Sequence, residues 1–353
     1  MIKAKSEIEQ LQPYVAPLEG RRPMLRLDFN ENTVGPSPKV VEAIRNLPPN
    51  AYATYPEYAG LNDAYASAIG VPAQYVEAFN GVDAAIHAIF DVYGQQGATF
   101  LTTAPTFGYY KPCALQHDML QDEVLYLPDL SFPLETIRAR LSAKPRLFFV
   151  CNPNNPTGTL IEPRTLLALA ETAPDTLVVV DELYVAFTRK SVLPAALELK
   201  NVVVLQSLSK AAGIAALRLG FAIAQLDVLD RLSRVTGPYD VNAFAVTAGK
   251  TALADLDYVG DYVQHVRAAK AWTIEQLQRL EVRHFAQGGN YMLVWPPRPC
   301  EQVEQALREK GILVRNMRGK PVIDGSFRLS IGTLEQMQQF MQAFAEVIGA
   351  TNH

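Results

Sequence analysis

Cysteine is scarce in this chain: Cys113, Cys151 and Cys300 are the only three in 353 residues. They are odd in number, widely spaced and never arranged as C-x-x-C. Neither a disulfide framework nor a zinc site is indicated, and no metal is expected. Long apolar runs are missing too, since none approaches the roughly 20 residues that span a bilayer. No apolar stretch follows Met1-Ile2-Lys3-Ala4-Lys5-Ser6-Glu7. No secretory leader is therefore expected, and the compartment is read as reducing and cytoplasmic. There is no excess of positive charge: 32 Lys and Arg stand against 36 Asp and Glu. That balance argues against nucleic acid or an anionic membrane as partner. With no helix-turn-helix before Asp28, it also argues against a DNA-binding regulator. Internal repeats and low-complexity tracts are absent.

What is present suits a globular enzyme: 49% of residues are hydrophobic and 19% charged. A chain of 353 residues is too long for one simple core, so a large domain with a smaller partner is expected. Apolar strands alternate with helical stretches up to about residue 238, which predicts a doubly wound, mostly parallel α/β sheet. Beyond it, long helices mix with short strands, as in a smaller α+β unit. The expected division is an arm at 1–27, a large domain at 28–240 and a small domain at 241–353, with the N-terminal segment packing on the last.

The most informative stretch starts at Val203. Val203-Val204-Leu205 reads as a buried parallel strand. Gln206-Ser207-Leu208-Ser209-Lys210-Ala211-Ala212-Gly213 then breaks it with two hydroxyls and a lysine among small residues. Desolvation favours the neutral amine, the form that attacks a carbonyl. Arg218 follows in a second apolar run. Two cations so close in apolar sequence need an anion or a carbonyl adduct between them. The set suits a phosphorylated aldehyde, pyridoxal phosphate. A plain helix start with a solvated lysine also fits this stretch alone.

Other strand ends carry complementary chemistry. Val178-Val179-Val180 runs into Asp181, a carboxylate that is expensive there without a partner. A protonated pyridine nitrogen is such a partner, and Tyr184 lies within reach of the ring's hydroxyl. Phe107 ends another strand and offers a face on which a flat ring can stack. Asn152-Pro153-Asn154-Asn155-Pro156-Thr157-Gly158 makes a rigid polar turn where open α/β sheets bind ligands. Gly81-Val82-Asp83 opens a helix whose free amides can hold a phosphate. Arg315 and Arg328 lie in or beside late strands and suit forked binding of carboxylate or phosphate. Tyr52, Tyr55 and Tyr58 crowd a proline-interrupted loop. Each feature also has an ordinary structural reading: a helix cap, a core aromatic, an exposed strand arginine.

Taken together these stretches resemble the fold-type I pyridoxal-phosphate aminotransferases, and within them the histidinol-phosphate aminotransferases. The matching segments include Asn30-Glu31-Asn32, Tyr55-Pro56-Glu57, Pro105-Thr106-Phe107-Gly108, the 152–158 turn, Asp181-Glu182-Leu183-Tyr184, Ser207-Leu208-Ser209-Lys210 with Arg218-Leu219-Gly220, and Arg328-Leu329-Ser330-Ile331-Gly332. They fall in the family's order over nearly the whole chain.

The resemblance implies a transamination with glutamate as the amino donor. It implies that Lys210 bonds the cofactor aldehyde and shuttles a proton, that Asp181 pairs with the ring nitrogen, and that Tyr184 and Asn155 bond the ring oxygen. Phe107 would stack on the ring. The Val82 and Asp83 amides with Ser207, Ser209 and Arg218 would hold the phosphate. Tyr55 would reach the site of the other subunit in a homodimer. Arg328, Arg315, Asn32 and Tyr14 of the arm would bind substrate. Phe107, Thr33 and Gln95-Gln96-Gly97 depart from the family's usual tyrosine, proline and Pro-Gly-Asp. They leave room for an aromatic amino acid aminotransferase or an amino-acid-phosphate decarboxylase on the same framework.

Overall fold

The computed structural model describes residues 2–9, 11 and 19–350, so Tyr14 and the rest of the arm's 12–18 segment lie outside the described residues. A first short strand, β1 (Leu25–Arg26), precedes the central sheet. That sheet is built from β2 (Val76–Phe79), β3 (Thr99–Ala104), β4 (Leu120–Leu125), β5 (Leu147–Cys151), β6 (Leu177–Asp181), β7 (Val202–Ser207) and β8 (Gly220–Ala224). Its order is β2-β8-β7-β6-β5-β3-β4. Strand β8 alone runs antiparallel to its neighbours, β2 and β7. The remaining pairs are parallel.

The central strands are apolar on both faces because helices cover both faces. Alternate residues point to opposite sides, as the strand pleat requires. Phe148, Val150, Val178, Val180, Val202 and Val204 enter one core. Leu147, Phe149, Leu177, Val179, Val203 and Leu205 enter the other. Strand β4, Leu-Gln-Asp-Glu-Val-Leu, is the sheet edge and is largely solvated, which is why its sequence does not read as a strand.

The second unit holds β9 (Arg283–Phe285), β10 (Tyr291–Trp295), β11 (Ile312–Leu313), β12 (Arg315–Asn316) and β13 (Phe327–Ser330). Strands β12-β13-β10-β9 form an antiparallel sheet. Helices Leu256–Arg279 and Leu334–Ile348 supply much of its core, including Phe340 and Phe344 against Phe327. The last helix starts with a capping box in which Thr333 and Gln336 satisfy each other's amides. Strand β1 pairs in parallel with β11, so the chain touches this unit before it enters the cleft. Helix Ala243–Leu253 lies past residue 240, yet Ala245, Val246, Ala248 and Ala252 pack into the core of the seven-stranded sheet. Gly249 permits this, because a Cβ there would fall 2.4 Å from Leu219.

One buried lysine braces the loop through which the second unit meets the large sheet. Lys270 of helix Leu256–Arg279 donates to the carbonyls of Gln287, Gly288 and Gly289 at 3.1, 3.3 and 3.1 Å. The amide of Gly288 in turn donates to Gly158 at 2.8 Å, on the asparagine-proline turn of the large sheet. Burial lowers the Lys270 pKa to about 7, and three carbonyls give each proton of the ammonium an acceptor. Lys270→Met keeps the stem and removes the donors, leaving three carbonyls unpaired. It should lower stability by about 3 kcal/mol in urea unfolding. An unchanged unfolding midpoint would show that the lysine pins nothing.

Candidate active site

A cavity of about 400 Å³ opens at the carboxyl ends of the parallel strands, where the second unit's sheet faces them. Asn155 follows β5, Tyr184 follows β6, and Ser207, Ser209 and Lys210 end or follow β7. Arg315 and Arg328 come across from β12 and β13. All seven residues line the cavity, with Val82, Asp83, Phe107 and Arg218. A parallel sheet ends its strands on one edge, so residues distant in sequence meet there.

Lys210 sits in the turn after β7. Its Nζ donates to the carbonyl of Phe29 at 3.0 Å. Burial, then the nearby Arg328 and Arg218 charges, lower its pKa to about 8. The turn is held from outside. The Asn32 amide donates to the Ala211 carbonyl at 3.1 Å, and its Oδ1 accepts from the amides of Val34 and Gly35, both at 2.9 Å. Gly213 has φ +72°, and a Cβ there would lie 2.7 Å from the Gly35 carbonyl carbon, so only glycine lets the two loops meet.

Asp181 ends β6 and is 2% exposed. It does not itself line the cavity; Leu183 and Tyr184 do. The Tyr110 hydroxyl donates to its Oδ2 at 2.5 Å and the Leu183 amide to its Oδ1 at 3.0 Å. Burial lifts its pKa to about 6 against the pull of those donors. Neither donor carries a charge. Phe107 stands edge-on to Tyr110, with ring centroids 5.4 Å apart.

At the opposite end, helix Gly81–Tyr93 directs its first amides toward the cavity. Arg218 holds φ +57° and pairs with Asp83 at 2.8 Å. Gly81 leaves it room, since a Cβ would lie 2.7 Å from Arg218 Nη2. Gly220 likewise brings β8 against the helix start, where a Cβ would lie 2.5 Å from the Val82 nitrogen. Ser207 Oγ lies 2.9 Å from Ser209 Oγ and accepts from the Ser209 amide at 3.0 Å.

The 152–158 turn divides its asparagines by task. Asn152 clamps Ile161 through both amide atoms at 2.9 and 2.8 Å. Asn154 bonds Pro105, Thr157 and Thr106 at 3.0, 2.8 and 2.7 Å. Asn155 alone turns inward, where its Oδ1 accepts from Arg328 Nη1. Arg328 Nη2 donates to the Asp28 carbonyl at 2.5 Å. The Asp28 carboxylate is forked by Arg21 at 2.9 and 2.6 Å.

Not every expected residue arrives. Asn32 is outside the cavity wall, because its amide is spent on the Lys210 turn. Tyr55, expected at the other subunit's site and not at this one, is 72% exposed and stacks on Tyr239 at 3.9 Å. Residues that sequence reasoning passed over include Tyr110, Phe29, Asn30 and Lys320. Phe29 and Lys320 line the cavity. Lys320 looks like any loop lysine in sequence. In the fold, burial and the nearby Arg315 and Arg328 lower its pKa.

The profile of the family described as aminotransferase class I and II matches residues 22–344. The chain is 32% identical over 366 residues to the histidinol-phosphate aminotransferase of Symbiobacterium thermophilum, covering 99% of each. It is 32% identical over 348 residues to histidinol-phosphate aminotransferase 1 of Carboxydothermus hydrogenoformans, covering 98% of each. The crystal structure of histidinol-phosphate aminotransferase from Sinorhizobium meliloti in complex with pyridoxal-5'-phosphate matches with a TM-score of 0.91. It covers 99% of this chain and 98% of that one at 23% identity, which speaks for the fold alone. With the profile running across both units and full-length relatives alongside it, the chain belongs to the class I and II aminotransferases.

Proposed function

We propose that the protein transfers an amino group between histidinol phosphate and 2-oxoglutarate, giving imidazole-acetol phosphate and glutamate in histidine biosynthesis, with pyridoxal phosphate as cofactor. The observation that carries this reading is the polarity of the cavity. The buried Asp181 carboxylate lies just behind the wall formed by Leu183 and Tyr184, a phosphate-type cradle lies at Val82, Asp83, Ser207, Ser209 and Arg218, Lys210 with its lowered pKa is in the same wall, and Arg315 and Arg328 face them from the second unit. Full-length relatives named for this reaction support the substrate.

The residues present fit the cofactor. Among the described residues the buried Asp181 accepts only from the neutral donors Tyr110 and Leu183, so it suits a cationic ring nitrogen. The amides of Val82 and Asp83, the hydroxyls of Ser207 and Ser209, and Arg218 suit a phosphate dianion. Phe107 would cover the ring face, and Asn155 and Tyr184 would bond the ring oxygen. When bound, pyridoxal phosphate supplies an aldehyde for an amine and a ring that delocalises the electron pair left at the substrate carbon. Lys210 Nζ would hold and return the proton at that carbon. Arg315 and Arg328 would fix the substrate's anionic group, and Tyr14 is proposed as a further substrate contact.

A second copy completes the reading. Tyr52, Tyr55, Tyr239, Val34 and Val41 are all exposed apolar or aromatic side chains. Such a surface suits a homodimer in which Tyr55 reaches the partner's cofactor phosphate. Among the described residues no helix is long and apolar enough to cross a membrane. A cytoplasmic location is part of the proposal.

Assayed with 2-oxoglutarate, histidinol phosphate should show a higher kcat/KM than phenylalanine or threonine phosphate. A preference for phenylalanine would replace this reading with an aromatic aminotransferase. Lys210→Ala should abolish turnover. In the cofactor-free protein the Lys210 amine is half neutral near pH 8, so its rate of reaction with pyridoxal phosphate should rise as pH climbs through that value. A flat profile from pH 6 to 10 would contradict the lowered pKa. Lys320→Met should raise KM for histidinol phosphate about tenfold and KM for phenylalanine less, because a phosphate carries the second negative charge. Equal changes would remove Lys320 from substrate recognition.

A further inference from the structure

Asn30 is 1% exposed, sits at φ +55° and reaches the site without lining its cavity. Each of its polar atoms has a partner. Its amide N–H donates to Ser330 Oγ at 2.8 Å, and the Ser330 hydroxyl donates back to Asn30 Oδ1 at 3.0 Å. Its carbonyl accepts from Asn290 Nδ2 at 3.1 Å. With Oδ1 engaged by Ser330, the side-chain Nδ2 faces Tyr184 and donates to the Tyr184 hydroxyl oxygen at 3.0 Å.

That bond settles a question of polarity at Tyr184. A phenol has one proton to donate and lone pairs with which to accept. Tyr184 is 2% exposed and lines the cavity. Its oxygen accepts from Asn30, and its own proton has no acceptor among the described residues. The proton is therefore left to point into the cavity. We infer that Asn30 is a positioning residue: by donating to the Tyr184 oxygen it makes Tyr184 a donor toward the ring oxygen of the bound cofactor. This inference rests on the pyridoxal phosphate reading above and adds to it the residue that sets the direction of the hydrogen bond. The positive φ at Asn30 is the backbone condition, since asparagine and glycine tolerate it and most other side chains do not.

A donor at the ring oxygen competes with the proton shared between that oxygen and the lysine–cofactor linkage. Removing the donor lets the oxygen hold that proton more tightly, so the pH midpoint of the visible band rises. The test is a spectral titration of the cofactor-loaded protein. Asn30→Gly keeps the backbone conformation and deletes the side chain. Asn30→Asp keeps the shape and reverses the polarity, so that residue 30 accepts the Tyr184 proton. Both should raise the midpoint by about one pH unit, the size of one hydrogen bond. Tyr184→Phe should raise it similarly, and Asn30→Gly with Tyr184→Phe should move it no further, because Asn30 acts only through Tyr184. The inference is overturned if both Asn30 variants titrate at the wild-type midpoint, or if the double variant's shift is the sum of the two. A wild-type protein with no visible band after loading would overturn the cofactor reading and this inference with it. A wild-type band that titrates normally but does not respond to Asn30 would overturn this inference alone.

Discussion

Holding a carboxylate at the end of an apolar strand costs several kcal/mol unless something compensates it. At Asp181 the compensation from the protein is only partial. Tyr110 and the Leu183 amide donate hydrogen bonds, but neither brings positive charge. The carboxyl consequently sits near pH 6 rather than in the usual carboxylate range. The remainder of the site follows from that one buried anion. A ligand with a cationic nitrogen would supply the missing charge, and the cations Arg218, Arg315 and Arg328 in the cavity wall would favour a ligand that is anionic elsewhere. After burial, Arg328 and Arg218 help to lower the Lys210 pKa to about 8, which leaves about a tenth of its amine neutral at pH 7.

The segment after β1 connects this electrostatic arrangement to the two-unit architecture. Consecutive carbonyls, of Asp28 and Phe29, accept from Arg328 of the second unit and Lys210 of the first. The next residue, Asn30, binds Ser330 and Asn290 on one side and Tyr184 on the other. Three residues in a row therefore join both walls of the cavity. Their backbone is held by the Arg21–Asp28 fork and by the pairing of β1 with β11. The Lys270 bonds to the 287–289 carbonyls do a similar job for the asparagine-proline turn.

Much of the fold was legible because buried parallel strands are written as short β-branched runs, as in Val178-Val179-Val180 and Val202-Val203-Val204. Strands β2, β4 and β8 were harder to see. Strand β4 is a polar edge, and β8 is an apolar run that resembles its neighbourhood. In the site, Lys210, Asp181, Asn155 and Arg218 were readable because a charged or amide group at the end of an apolar run is conspicuous in one dimension. Tyr110 was hidden inside an aromatic turn, and Lys320 inside an ordinary polar loop.

The linear order of residues by itself determined the parallel sheet, the positions of the strand ends and the chemistry gathered there, because local pattern and cost of burial act over a few residues. The tertiary structure alone decided that Asn32 serves the loop and Asn30 the tyrosine, and that Lys320 turns inward. Those choices depend on contacts between segments up to 300 residues apart, such as Asn30 with Ser330. A hydrogen bond is directional and short-ranged, so its partner is set only once the chain has folded.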